Sequence, residues 1–355
     1  MRPNRSRVAA CLFGLVVLGG CGDAAPDPLA GPGLPPTLES LTLDTLFQVG
    51  AASGESWETF AGVWDIEVDA GGRLAVLDLG GPSVHIYGAQ GEHLATIDEP
   101  GLDPGQLDGP SGIAWAGPGE LLVWDPGSSW ISSFQVRGSG AEYVDRWRAF
   151  AFGETGFCSA GGRTYLSYLQ DDIVVHEVGP EGPVRSFGPA PVVVGAETLG
   201  LELRGIALEE MTPSALLCTG SGVVDVSFLE SSVRLHDPEG AVVWSREFDD
   251  FRPIVAYSDD GIGLGRRFDE GAGSHLLRSV APWGDSLILV QHEVRSREIP
   301  DENDPEVFET RLLNLADGVE VARTRALPLI LTVQGQRLYL VQQSPFPMIT
   351  VVTGS

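Results

Sequence analysis

Residues 62–87 read GVWDIEVDAGGRLAVLDLGGPSVHIY, and residues 109–134 read GPSGIAWAGPGELLVWDPGSSWISSF. The two stretches are one pattern written twice at a spacing of 47 residues: Ile66 answers Ile113, Asp78 answers Asp125, and Tyr87 answers Phe134. Each holds short apolar runs separated by glycine-rich turns. Within the first, Ala75 and Leu77 alternate with Val76 and Asp78. That period of two gives a strand side chains on both faces of its sheet. A unit of this length with room for four strands cannot bury both faces alone and must stack on copies of itself, as the blade of a β-propeller does.

The same rhythm continues with more drift. Runs at 164–169, 173–178 and 184–187 make a third blade, those at 223–228, 232–236 and 242–247 a fourth, and those at 286–291, 308–315 and 320–325 a fifth. A sixth has runs at 329–333, 337–342 and 349–353 and lacks one strand. Residues 38–49 form a strand with no blade of its own. Placing that strand as the outer member of blade six closes the ring and pairs edges that would otherwise be exposed. The expected fold is all-β: a six-bladed propeller of four-stranded antiparallel blades, closed by the N-terminal strand. No segment has a sustained helical period, residues 199–210 coming nearest to a short helix.

In blade two, Gly105-Gln106-Leu107 precedes Gly109-Pro110, Gly112-Ile113-Ala114, Gly119, Leu122-Val123 and Asp125, with Ile131 and Phe134 following. These residues resemble the NHL repeat. Ser128 and Trp130 stand where that family has Asn and Arg, and the resemblance covers two blades well and four poorly. The whole chain is similar to six-bladed propeller lipoproteins of bacterial envelopes, a group without one shared activity. Asp78 and Asp125 end strands before turns, where an aspartate bonds the backbone that follows.

The N-terminus fixes the compartment. Arg2, Arg5 and Arg7 precede an apolar run over 8–18, too short for the roughly 20 residues that span a bilayer. Leu18-Gly19-Gly20-Cys21 resembles the bacterial lipobox, which implies cleavage before Cys21 and acylation of that residue. The expected division is a lipoprotein signal peptide at 1–20, a flexible tether at 21–37 rich in Gly, Pro, Ala and Asp, and the propeller at 38–355. Asp23, two places after Cys21, favours the outer membrane by enterobacterial sorting rules. Net charge is −27, and removing the three arginines makes it −30. Such a surface excludes generic nucleic-acid binding, which needs a basic footprint. Attachment to a membrane must then come from lipid on Cys21. A monomer is expected.

Cys11 leaves with the signal peptide and Cys21 carries lipid, so Cys158 and Cys218 remain in an oxidising compartment. A disulfide between them is the expectation, with two buried free thiols as the alternative. Neither has a His or second Cys at metal-ligand spacing.

Antiparallel blades send the connections between blades, and those between second and third strands, to one face. Every long connection belongs to that group: 98–110, 188–213, 248–274 and 292–307. Together they carry a charge of −14. Long loops on one rim point to a binding face. Its candidate residues are Asp259, Asp260, Arg266, Arg267, His275, His292, Asp301 and Asp304, and the expected ligand is a protein, a peptide or a small molecule. Oxygen ligands in Asp301-Glu302-Asn303-Asp304 admit Ca²⁺, and His275 and His292 with scattered carboxylates such as Asp259, Asp260, Asp269 and Glu293 admit Zn, though no spacing demands either. A non-catalytic module is therefore favoured over a metal-dependent hydrolase or lyase at the channel mouth. Most tryptophans fall at packing positions, while Trp57 and Trp283 fall in turns where they are free to stack on a ligand.

Overall fold

The computed structural model describes residues 41–149, 156–212, 214–228, 230–258, 263–297 and 307–354. Strand β1 (Leu43–Val49) precedes blade one, formed by β2 (Val63–Val68), β3 (Leu74–Asp78), β4 (Ser83–Tyr87) and β5 (His93–Ile97). Blade two has β6 (Gly112–Gly117), β7 (Glu120–Asp125), β8 (Trp130–Arg137) and β9 (Gly140–Arg148). Blade three has β10 (Phe157–Ala160), β11 (Arg163–Gln170), β12 (Ile173–Gly179) and β13 (Gly182–Pro189). Helix α1 (Leu201–Met211), close to where the sequence suggested one, leads into blade four, with β14 (Ser214–Thr219), β15 (Gly222–Ser227), β16 (Val233–His236) and β17 (Val242–Arg246). A small hairpin, β18 (Val255–Tyr257) and β19 (Gly265–Arg267), leads into blade five, with β20 (Ser274–Trp283), β21 (Leu287–Arg295), β22 (Phe308–Asn314) and β23 (Glu320–Thr324). Blade six has β24 (Ile330–Gln334), β25 (Arg337–Gln342) and β26 (Met348–Gly354), and β1 pairs with β26 as its fourth strand. The chain is a six-bladed propeller closed by its N-terminal strand.

Two details differ from the sequence expectation. Strand β21 runs on to Arg295, so His292 lies in a strand opposite Glu309 and not in the loop. Trp283 is the last residue of β20, 1% exposed, because Pro282 and Trp283 continue the pairing with Leu287 and Ile288. It packs in the core and does not face a ligand.

The core is a ring of layers between neighbouring blades. Strand β3 shows how alternation builds it: Leu74 and Val76 join the layer between blades six and one, while Ala75 and Leu77 join the layer between blades one and two. Both faces are covered, so all five residues of β3 are buried. Equivalent apolar layers lie at the other four boundaries.

Polar contacts fasten these boundaries. Trp64 Nε1 donates to the Ser111 carbonyl and Trp115 Nε1 to that of Glu67, both between blades one and two. Trp244 Nε1 donates to the Leu315 carbonyl at 2.8 Å between blades four and five. The buried Gln291 side chain donates to Thr310 Oγ1 and the Pro328 carbonyl, and accepts from the Ile330 amide, tying blade five to six. Blades three and four share the disulfide. Cys158 on β10 and Cys218 on β14 lie on adjacent inner strands with Cα atoms 5.6 Å apart. Sixty residues separate them. Closing a loop of that length removes enough unfolded-chain entropy for about 4 kcal/mol at most.

Candidate functional site

Strand direction sorts the connections as the blade topology requires. On one face lie the turns joining first to second and third to fourth strands, none longer than the five residues of 69–73, 88–92, 237–241 and 315–319. On the other lie 98–111, 190–213, 247–273 and 296–307. Two of these long connections build on each other. The Ala256 amide donates to the Val194 carbonyl at 2.9 Å. Val193, Ala196, Ala207, Met211, Ile254 and Ala256 bury a small satellite core between them. This raised platform stands at the entries to blades four and five, with Leu201 91% exposed on its helix.

The candidate residues separate on this scaffold. Arg266 and Arg267 lie on β19 of the platform, where Arg266 approaches Glu210 of α1 at 3.5 Å and Arg267 stacks on Tyr257 at 4.7 Å. Asp259, Asp260, Asp301 and Asp304 lie outside the described residues, as do Cys21 and the segments expected to be signal peptide and tether. His275 and His292 do come together, with ring centroids 5.9 Å apart. They lie inside the boundary of blades four and five, each 1% exposed, with Phe251 against both rings and Phe248 against His292. The Arg252 amide donates to His275 Nδ1, which occupies one ring nitrogen. Among the described residues, neither nitrogen of His292 has a hydrogen-bond partner. Burial, with His275 and Arg311 nearby, pushes His292 down to about 3, so it is neutral at physiological pH.

Beside the histidines stands an ion-pair network that no spacing announced. Arg311, 1% exposed, binds Glu309, Asp250 and Glu320 and lies over the Phe248 ring at 4.2 Å. Arg325 holds Glu309 at 2.7 Å, and Arg323 holds Asp250 and Glu320. Burial alone would raise the Asp250 carboxyl, but Arg311 and Arg323 hold it at about 2. A cavity of about 510 Å³ opens against this network on the outer flank of the ring, lined by Phe248, Asp249, Asp250, Arg311, Val319 and Arg323 among others. A second, of about 330 Å³, opens on the long-loop face of blade one. Its wall includes Ser83 and His85, linked by a 3.2 Å hydrogen bond, and His85 is in turn linked to Thr96. Trp57 packs beside this region, stacked on His93 at 4.6 Å.

The inner strand β2 carries a carboxylate pair that sequence reading missed. Asp65 accepts from the Ile113 amide across the blade boundary at 3.1 Å. Burial pushes Asp65 up to about 6, and burial with the Asp65 charge pushes Glu67 up to about 8. The signal was two acids two residues apart on the first strand of a blade, which places both on one side of a strand that lines the axis. Among the described residues, no group of three or more His, Cys, Asp or Glu side chains is arranged to hold a metal ion.

Against known proteins, no family model matches the chain and no curated protein matches it. Solved structures do match. A Bacteroides fragilis protein assigned as exported aligns at a TM-score of 0.56 and 9% identity, covering 92% of this chain and 98% of its own. A member of the duf4221 family from Bacteroides vulgatus aligns at 0.56 and 10% identity, covering 89% and 98%. The likeness is one of fold. At these identities the propeller is shared and the ligand is not thereby known.

Proposed function

We propose that the protein is a lipid-anchored propeller of the bacterial envelope that works as a non-catalytic binding module. Its long-loop face engages a cationic peptide or a protein with a basic patch. The observation that carries this reading is the concentration of every long, acidic connection on one face, two of them built into a platform with its own core. Complementary charge steers such a partner and is screened by salt. Acylation at Cys21 supplies the attachment, with the outer membrane as the expected location, and the export of a structural relative agrees with an envelope setting. Among the described residues, no helix is long and apolar enough to cross a membrane.

The test is binding of a fluorescent oligoarginine peptide to the full-length protein in detergent, read by anisotropy at low and high salt. Binding is expected to weaken with salt and to fall at least fivefold in the triple variant Asp98→Asn, Glu99→Gln, Asp103→Asn. The matched control is the triple variant Glu181→Gln, Asp237→Asn, Glu239→Gln on the opposite face. Equal losses in the two variants, or none in either, would overturn the reading. Metal analysis of the same preparation is the second check. One equivalent of Zn or Ca per chain that survives dialysis would favour a metal-dependent hydrolase or lyase instead.

A further inference from the structure

The direction of the closing strand determines which face the membrane anchor leaves from. Strand β1 pairs antiparallel with β26, Leu43 opposite Gly354 and Val49 opposite Ile349. Thr353, the neighbour of Gly354, lies opposite Arg337, which follows the short turn at 335–336. Leu43 is therefore at the short-loop face. From Val49 the chain passes into 50–62 and then into β2, on the long-loop face. Leu41 and Leu43 pack against the layer between blades five and six, which pins the start of the strand. The residues leading back to Cys21 thus depart from the short-loop face.

We infer that the short-loop face is turned toward the membrane and the acidic long-loop face is presented away from it, where a soluble cationic partner reaches it. This rests on acylation of Cys21, as proposed above. Leu43 follows Cys21 by 22 residues, and a Gly- and Pro-rich stretch of that length has a root-mean-square reach of about 26 Å. Strand β1 is seven residues long, or about 23 Å. To bring the long-loop face to the lipid, the stretch must run back along the whole height of blade six, a distance close to its root-mean-square span, and so gives up much of its conformational freedom. The short-loop face needs no such detour. Charge acts in the same direction. Connections on the long-loop face carry −20 in the sequence and those on the short-loop face −6, so anionic headgroups repel the first more strongly.

Energy transfer tests the orientation. Full-length acylated protein is placed in vesicles of phosphatidylethanolamine and phosphatidylglycerol that carry an acceptor dye on the headgroups. A donor dye is attached to one of two single cysteine variants serving blade two. Ser139→Cys lies in the short β8–β9 turn, and Asp103→Cys lies in the long connection entering the blade. Transfer is expected to be at least twofold greater from position 139. The mass of the Cys21 peptide is measured on the same sample. An acylated Cys21 with equal or reversed transfer overturns the orientation alone, whereas an unacylated Cys21 overturns the anchor and the orientation together.

Discussion

Blade two and blade five solve the same problem with different chemistry. In blade two, one carboxylate organises the entry. Asp125 accepts from the amides of Asp108, Gly109 and Ser128, so a single buried side chain fixes both the connection arriving at the blade and the turn that follows. Asp78 does the same in blade one, accepting from Ala61, Gly62 and Gly80. Blade five adds a side-chain network at its boundary with blade four: Arg311 and its three carboxylates, with two neutral histidines beside them. The first device is local and spends one charge on amides that are always present. The second needs six charged residues, from β22, β23, Arg325 just after it and the 247–273 connection, to arrive together. A boundary built the second way loses more when one member is removed, because the partners left behind are buried charges without a counterion.

Arg311→Met is the largest break in that comparison. It leaves Glu309, 1% exposed, with only Arg325, and strips Asp250 and Glu320 of their buried partner. Removing one member of a buried ion pair costs about 3–5 kcal/mol. Urea unfolding is expected to show a loss in that range, and a loss below about 1 kcal/mol would mean the network adds nothing to the boundary. Asp125→Ala is the matching change in blade two. Three amides lose their acceptor, and those near the loop recover water, so the expected loss is about 2–3 kcal/mol in the same assay. If it exceeds the loss from Arg311→Met, the ranking of the two devices is wrong.

The same contrast explains what was legible in the sequence. Asp78 and Asp125 repeat at a fixed spacing because each acts on backbone nearby in the chain, and so blades one and two, the ring count and the closing strand could all be read. The cysteine pair followed from compartment, once Cys11 and Cys21 were accounted for. Asp250, Glu309, Arg311, Glu320 and Arg323 meet only after folding, with 61 positions between Asp250 and Arg311, and no period marks them. His275 and His292 were singled out as candidates but placed at an open mouth. Strand β21 runs four residues past Gln291, and Phe248 and Phe251 cover the pair, neither of which local sequence displays. The long-loop face was legible because loop length and strand order suffice to assign it.

His292→Leu gives the smaller and sharper test of the histidine side of blade five. The ring is buried, unpartnered at both nitrogens among the described residues, and pushed down to about 3 from the ordinary 6.5. Between those values the unfolded chain binds a proton that the folded chain does not, so stability falls as pH drops from about 6.5 toward 3. At pH 5 this contributes a loss of about 2 kcal/mol relative to pH 8. Leucine has no proton to bind and no polar atom to bury, so the variant is expected to keep that stability at pH 5 and to equal or slightly exceed the parent at pH 8. Urea midpoints at the two pH values decide the matter. An unchanged acid loss in the variant would assign it to other buried histidines such as His275, also held below its ordinary value by burial, because Glu309 and Asp250 keep their arginine pairs until the carboxylates themselves take up protons, at lower pH.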